Sequence, residues 1–367
     1  MSPGPAAPIR VLIADDSALV RELLKDMIAD EPGFALAGEA RDGREAVEKT
    51  QALSPDIVTM DVLMPVMDGL EAVEQIMAFH PTPILVFSSA ISNQEMNIAF
   101  AAISRGALDV MEKPAKAGST RYEEIRREFL SKLRLLSRIP VIPHLRGRHK
   151  RPSAPVEPAA PPRVPTKPAR EPAPALIPPP LRRQIVAIGA STGGPKALVQ
   201  IFRDLPGDLP VPVLLVQHIA PSFAEGLADW LNRESKVRVK LAAEGERINR
   251  GVAYIAPTGR HLQVNSNLLH LTDTPPVNSC RPSVDVLFHS VATGYGERAL
   301  AVLLTGMGRD GADGMKAIHD LRGHTLVQDE ASSVIFGMPR AAIELNAVDE
   351  VHPLSEIANA IVQGLGK

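Results

Sequence analysis

A serine flanked by small residues at the end of an apolar run has the setting of an enzyme nucleophile. The run QIVAIGA leads directly into GASTG at residues 189–193, which fits the pattern G-x-S-x-G around Ser191. Pro195 follows, and proline is favoured in the first turn of a helix. The pattern therefore predicts a strand, a tight turn that lifts the Ser191 hydroxyl above a sheet edge, and a helix.

A phosphate cradle is the other common use of such glycines. A loop of the type G-x-x-x-x-G-K-[ST] needs a lysine followed by serine or threonine, whereas Lys196 is followed by Ala197. The dinucleotide-binding pattern G-x-G-x-x-G is also missing here. We therefore interpret Ser191 as a nucleophile, and this role requires a histidine that accepts its proton.

His218 is the best-placed candidate for that base. It ends the run VPVLLVQH, the next strand-like segment after Ser191. If the two strands are parallel neighbours, both side chains lie at the same edge of the sheet. The less well-placed histidines of this region lie in or beside other predicted elements: His261, His270, His289, His319, His324 and His352.

An acid should orient the imidazole, and three aspartates are candidates. Asp310 lies in a glycine-rich loop between the run ALAVLLTG and a predicted helix. Asp285 and Asp313 are its rivals, although both are expected within helices. The residue pattern favours Asp310 and leaves the other two open.

Acyl transfer also needs donors for an oxyanion. The glycine-rich segments at 193–194 and 306–308 leave backbone N–H groups available, and Thr192 and Met307 are the candidates. Cys280 is a second possible nucleophile, but the sequence places no histidine beside it. We therefore interpret Cys280 as a packing residue.

A second group of reactive side chains lies near the amino terminus. Asp15 follows the first strand-like run together with Asp16, and Asp61 follows the third. Converging carboxylates repel each other unless a cation holds them, and oxygen ligands favour Mg²⁺. Lys113 after the fifth run adds a cation, and Ser88 after the fourth adds a hydroxyl.

The elements that must position these residues alternate between strand-like and amphipathic helical runs on both sides of a linker. This alternation predicts α/β folding throughout, with a (βα)5 unit first and a doubly wound, mainly parallel unit second. The stretch between them is proline-rich and should be an extended tether. We divide the chain into residues 1–125, a helix end and linker at 126–183, and residues 184–367.

The amino-terminal motifs resemble the receiver domain of bacterial response regulators. The resemblance implies a phosphoryl group on Asp61, transferred from the histidine kinase CheA, with Lys113 and Ser88 meeting that group. It also implies Mg²⁺ held by Asp16, Asp61 and the carbonyl of Leu63, with Asp15 acting through water. The matching motifs are ADDS (14–17), MDVLMPVMDG (60–69), FSS (87–89) and EKP (112–114).

The second half is similar to the catalytic domain of the CheB methylesterase family. The resemblance implies Ser191 as nucleophile, His218 as general base and then acid, and Asp310 as orienting acid, with no cofactor at this site. The implied substrates are glutamate γ-methyl esters, and secondarily glutamines, of methyl-accepting chemotaxis receptors. The matching segments are IGASTGGP, QHIAPSF, APTGRHL, CRPSVDVLF, LLTGMGRDGADGM and QDEASSVIFGMPRAA.

Composition limits the remaining possibilities. The 367 residues carry a net charge of −2, which gives no basic field for nucleic acid. One cysteine excludes an internal disulfide framework and favours a reducing compartment. Neither a signal peptide nor a membrane-spanning run is expected. The sequence predicts a cytoplasmic protein without membrane insertion.

Two other functional classes fit a receiver less well here. An adaptor with a decayed enzyme domain would have lost a member of the Ser-His-Asp set, and all three residues are present. A DNA-binding regulator would carry a short basic helical effector, whereas this second half is long and rich in strands. We expect instead that the receiver docks over Ser191 and lifts away on phosphorylation.

Overall fold

The computed structural model describes residues 7–29, 31–89, 93–113, 120–141 and 182–366. Most of the predicted proline-rich linker, at residues 142–181, lies outside the described residues. Among the described helices, none is both long and apolar enough to cross a membrane.

The amino-terminal unit is a parallel sheet between two layers of helices. Within the described residues its strands pair in the order β2-β1-β3-β4-β5, all parallel. Strands β3 and β4 are buried along their whole length, as expected where helices cover both faces of a sheet. The predicted (βα)5 arrangement is therefore confirmed. The strands are β1 (Ile9–Ala14), β2 (Phe34–Ala40), β3 (Ile57–Asp61), β4 (Ile84–Ser88) and β5 (Asp109–Glu112), and the helices are α1 (Ala18–Ala29), α2 (Gly43–Leu53), α3 (Gly69–Phe79), α4 (Asn93–Ser104) and α5 (Thr120–Leu136).

The carboxy-terminal unit contains a larger parallel sheet and a separate antiparallel hairpin. The described strands pair in the order β14-β13-β12-β6-β7-β9-β8, and an antiparallel hairpin forms from β10 and β11. The strands are β6 (Ile185–Ala190), β7 (Val213–Gln217), β8 (Arg238–Leu241), β9 (Val252–Ile255), β10 (His261–Asn265), β11 (Leu268–Thr272), β12 (Ala299–Leu303), β13 (His324–Gln328) and β14 (Glu350–His352). The helices are α6 (Gly194–Asp204), α7 (Ala224–Glu234), α8 (Val284–Tyr295), α9 (Ala312–Asp320), α10 (Met338–Glu344) and α11 (Leu354–Gly364).

Strand β6 lies at the point where the strand order reverses. The chain leaves β6 for β7 on one side, and β12 pairs with β6 on the other side. In open parallel sheets, ligands bind in the crevice that forms beyond the carboxyl ends of such strands. The segment after β6 begins with Ser191.

The two units contact each other through helix α4 of the first and helix α7 of the second. The ring of Phe100 stacks on Trp230 with centroids 5.0 Å apart and meets Phe223 edge to face at 6.1 Å. A guanidinium nitrogen of Arg233 donates to Asn97 Oδ1 at 2.5 Å. Apolar side chains of both units thus form one continuous cluster.

Candidate active site and phosphorylation site

Ser191 lies on the predicted strand–turn–helix segment. Strand β6 ends at Ala190 and α6 begins at Gly194, so two residues beyond Ser191 complete the turn. Gly193 adopts φ +78°, and a Cβ there would lie 2.5 Å from Val334 Cβ, so glycine is required. The Ser191 N–H donates to the Thr305 carbonyl at 3.0 Å, which ties the turn to the end of β12.

The register of β6 and β7 brings His218 to the same edge. Ala190 is paired with Gln217, and the His218 N–H donates to the Ala190 carbonyl at 3.0 Å. Gln217 Nε2 donates to the Ser191 carbonyl at 2.8 Å and couples the two segments. Within the described residues no hydrogen bond joins Ser191 Oγ to the imidazole, and catalytic bonds of this kind often tighten only when substrate binds.

Asp310 holds the other side of the imidazole. Its Oδ2 lies 2.8 Å from His218 Nε2. The carboxylate also accepts from Ser283 Oγ and from the Val284 N–H, both at 2.7 Å, at the start of helix α8. Burial raises the pKa of Asp310, but the hydrogen bonds from His218, Ser283 and Val284 outweigh it and lower the pKa to about 2. Asp310 is therefore an anion that binds a ring N–H.

This contact determines which ring nitrogen can act as a base. Because Nε2–H points at Asp310, the lone pair of neutral His218 is on Nδ1. Burial lowers the pKa of His218, whereas hydrogen bonds to Asp310 and Cys280 raise it, with a net increase to about 9. The ring holds a second proton below that pH, and the base form increases as the pH rises.

The expectation that no histidine lies beside Cys280 is wrong. Cys280 Sγ lies 3.8 Å from His218 Nδ1. A tight turn between Val277 and Cys280 brings it there, with both central residues, Asn278 and Ser279, at positive φ. The chain between β11 and α8 therefore folds back over the imidazole, which periodicity along the sequence does not indicate.

The rival acids occupy other positions. Asp285 accepts from the Gly314 N–H at 2.7 Å and from Asn278 Nδ2 at 2.6 Å, so it links α8 to α9. Burial, together with the nearby negative charge of Asp310, raises the pKa of Asp285 to about 6. Asp313 is exposed and pairs with Arg309 at 3.1 Å. The structure brings Asp310, and neither rival, into contact with His218.

The two candidate oxyanion donors flank Ser191. The loop at 306–308 approaches so closely that a Cβ on Gly306 would lie 2.8 Å from Ser191 Cβ. In the part of the chain that the structure describes, the backbone N–H groups of Thr192 and Met307 donate to no protein acceptor. Backbone N–H groups that lie beside a candidate nucleophile and have no protein acceptor can bind the negative charge that develops on an oxyanion.

The amino-terminal carboxylates also converge. Oxygen atoms of Asp15, Asp16 and Asp61 lie within 4.8 Å of one another, and Lys113 Nζ lies 2.8 Å from both Asp15 Oδ2 and Asp61 Oδ2. Burial raises the pKa of Asp61 to about 6, against the opposing effect of Lys113. A set of three carboxylates with one partly buried cation fits a hard divalent ion such as Mg²⁺.

Ser88 is fully buried and faces helix α4. Its Oγ donates to Glu95 Oε1 at 2.8 Å, and the Ser89 N–H donates to the same oxygen at 2.7 Å. Glu95 was not predicted as a functional residue, because nothing in its local sequence distinguishes it from an exposed helical glutamate. Its contact links strand β4 to the helix that packs on the second unit.

Comparisons with known proteins match both halves of the chain. Residues 186–361 match the model for CheB methylesterase, and residues 11–121 match the model for the response regulator receiver domain. A curated relative from Anaeromyxobacter dehalogenans, named protein-glutamate methylesterase/protein-glutamine glutaminase 2, is 47% identical over 98% of this chain and 97% of its own length. A relative from Myxococcus xanthus, with the same name numbered 4, is 41% identical over 96% of each chain.

Solved structures match each half separately. The CheB methylesterase catalytic domain of Thermotoga maritima is 36% identical, with a TM-score of 0.48, and the match covers 49% of this chain and 98% of that one. The response regulator domain of Thermotoga maritima CheB is 39% identical, with a TM-score of 0.33, over 36% of this chain and 98% of that one.

Proposed function

Because this chain belongs to the CheB methylesterase family and is a receiver-linked protein-glutamate methylesterase/protein-glutamine glutaminase, we propose that it demethylates chemoreceptors through Ser191, His218 and Asp310. We further propose that phosphorylation of Asp61 by the kinase CheA raises this activity. The observation that carries the first proposal is the 2.8 Å contact between Asp310 and His218 Nε2, at the sheet edge where Ser191 follows β6.

The acylation step follows from the orientation of the imidazole. Ser191 Oγ attacks the γ-carbonyl carbon of the methyl ester while its proton moves to His218 Nδ1. The imidazolium that forms is stabilised by the Asp310 carboxylate, and the oxyanion is bound by the N–H groups of Thr192 and Met307. Nδ1–H then protonates the leaving oxygen, and methanol departs.

The second half of the reaction uses the same groups in reverse order. Water gives a proton to His218 Nδ1 as it attacks the acyl carbon, and Nδ1–H returns that proton to Ser191 Oγ as the glutamate carboxylate leaves. A receptor glutamine passes through the same steps, except that ammonia is the leaving molecule. Both reactions therefore require one site and no cofactor in it.

The receiver site has the ligand chemistry for Mg²⁺. Asp15, Asp16 and Asp61 are the residues that would hold the ion, which neutralises charge during phosphoryl transfer. Lys113 already lies between two of these carboxylates and can pair with a phosphoryl group on Asp61. Oxygen donors and a fixed cation together suit a transient aspartyl phosphate.

Contacts between the two units support control by docking. Ser131 Oγ of α5 donates to Met307 Sδ at 3.3 Å, on the loop that carries a candidate oxyanion donor. Helix α4 packs on α7 through Phe100, and Glu95 of the same helix accepts from Ser88. If Ser88 turns to a phosphoryl group, it leaves Glu95, and the helix at the interface loses that hydrogen bond.

The direct test is methanol release from receptor membranes labelled on their methyl esters. We expect release by the purified protein and a higher rate when a phosphodonor and Mg²⁺ are added. Asp61→Asn should retain the basal rate and lose the increase, because it keeps the side-chain size but accepts no phosphoryl group. An increase of the same size in Asp61→Asn would contradict phosphorylation control, and no methanol from any form would contradict the enzyme assignment.

Removal of the receiver gives a second prediction. A fragment of residues 184–367 should hydrolyse receptor methyl esters faster than the unphosphorylated whole chain, by about 5- to 150-fold for a docking bias of about 1–3 kcal/mol. Circular dichroism of the fragment controls for its folding, since Phe223 and Trp230 lose their cover. A folded fragment that is no faster than the resting chain would mean that the receiver does not simply block the site.

A further inference from the structure

The thiol of Cys280 and the base nitrogen of His218 face each other in the way that two ligands of one metal ion do. Sγ and Nδ1 are 3.8 Å apart. A tetrahedral zinc ion with bonds of about 2.3 Å to sulfur and about 2.0–2.1 Å to nitrogen would separate these atoms by about 3.6 Å. The pair therefore needs almost no movement to bind such an ion.

The opposite side of the imidazole has the support that a metal-binding histidine needs. Histidines that bind metals commonly donate their second ring N–H to a carboxylate, which fixes the tautomer and the ring orientation. Asp310 Oδ2 accepts from His218 Nε2 at 2.8 Å, so Nδ1 is the ring nitrogen that faces Cys280 and can bind an ion. Atoms of His218, Cys280 and Asp310 lie within 4.8 Å of one another, although Asp310 is already engaged as the supporting group.

The pair is also accessible. The His218 side chain is 16% exposed, and Cys280 is partly exposed at the rim of the site. The turn that carries Cys280 is closed by backbone hydrogen bonds in both directions between Val277 and Cys280, at 3.1 and 2.8 Å. An ion can thus reach two ligands that are already held in place.

We propose that Cys280 Sγ and His218 Nδ1 form a binding site for a thiophilic divalent cation such as Zn²⁺, whose binding reversibly inhibits the hydrolase. On binding, the Cys280 thiol releases its proton to solvent, and below about pH 9 Nδ1 does the same before its lone pair binds the ion, while solvent water completes the coordination. The ion then occupies the nitrogen that must accept the Ser191 proton. The inhibition rests on the proposed Ser191 mechanism, whereas the binding does not.

The binding test uses the full-length protein with Mg²⁺ in excess, so that the receiver carboxylates are occupied. Co²⁺ bound to a thiolate absorbs in the near ultraviolet, and any such band reports Cys280, since the chain has one cysteine. We expect this band in the unmodified protein and in Ser191→Ala, and its loss in Cys280→Ser. Zn²⁺ should displace Co²⁺, and Cys280→Ser and His218→Gln should each weaken Zn²⁺ binding by more than the about 10- to 100-fold that loss of a group supporting a ligand costs, because each removes a ligand itself.

The activity test follows the same variants, each relative to its own rate without added metal. Saturating Zn²⁺ should lower ester hydrolysis by the unmodified protein about 10²-fold or more, as expected when a general base is lost, and a chelator should restore it. Equal Zn²⁺ affinity in Cys280→Ser, or no thiolate band in the unmodified protein, would overturn the proposal. Hydrolysis that persists in Ser191→Ala would overturn the catalytic assignment alone, because the band is measured without turnover.

Discussion

Ser191→Ala should lower ester hydrolysis by up to about 10⁶-fold, the size of the loss when the serine nucleophile is removed from another triad. The expected loss is large because the variant keeps His218 and Asp310 but has no oxygen to form the acyl intermediate. Methanol release from labelled receptors measures the effect. The substitution removes one hydroxyl from a turn that backbone bonds hold in place, so the fold should remain intact.

Two measurements on the same preparation make this prediction specific. Phosphorylation of Asp61 should continue in Ser191→Ala, since the receiver carboxylates lie in the other unit. Cys280→Ala should lose far less hydrolysis than Ser191→Ala, although Cys280 Sγ lies near the same imidazole. If Ser191→Ala stays active while Cys280→Ala collapses, the thiol and not the hydroxyl is the nucleophile.

Asp310→Asn should reduce turnover by about 10⁴-fold, as the matching substitution does in another serine hydrolase. The amide removes the negative charge that stabilises the imidazolium, and its NH2 group can turn towards His218 and favour the wrong tautomer. The shape of the side chain is kept, so receptor binding should survive. The rate constants of acylation and deacylation should be measured for Asp310→Asn and for the unmodified protein, with a small ester substrate and with labelled receptors.

Asp285→Asn and Asp313→Asn are the matched controls for that substitution. Asp313 is exposed, and within the described residues its carboxylate pairs with Arg309 alone, so its loss should have a small effect on turnover. Asp285 bonds Gly314 and Asn278 and should affect stability more than rate. Equal losses of turnover in all three variants would indicate general damage around α8 and α9, and would contradict a special role for Asp310.

Local patterns in the chain were sufficient for much of the fold. Apolar runs such as those of β3 and β4 predict buried parallel strands, and the structure confirms both sheets. The G-x-S-x-G pattern with Pro195 predicts a strand, turn and helix, which β6 and α6 confirm. These features are short-range, because steric and hydrogen-bonding preferences act within a few residues.

Local sequence patterns did not predict the contacts between segments that are distant in the sequence. Ser283 supports Asp310 across 27 residues, and Cys280 approaches His218 across 62. A serine after a proline at a helix start could have been read as an N-cap, and Ser283 does accept from the Val286 N–H at 3.4 Å. No pattern of comparable specificity pointed to Cys280 or to Glu95.

The sequence by itself determined the two α/β halves and the candidates Ser191, His218 and Asp61, because each follows an apolar strand whose carboxyl end is predictable from local periodicity. The sequence favoured Asp310 but left Asp285 and Asp313 open. Only the tertiary structure shows which of them contacts the imidazole, since that depends on which loop meets the ring after the strands have paired as β7-β6-β12. It also shows that Asp310 faces Nε2, which leaves Nδ1 for the proposed base, and that Cys280 lies beside Nδ1. Both features depend on the direction in which the side chains point. Hydrogen bonds between segments that are far apart in the sequence set that direction.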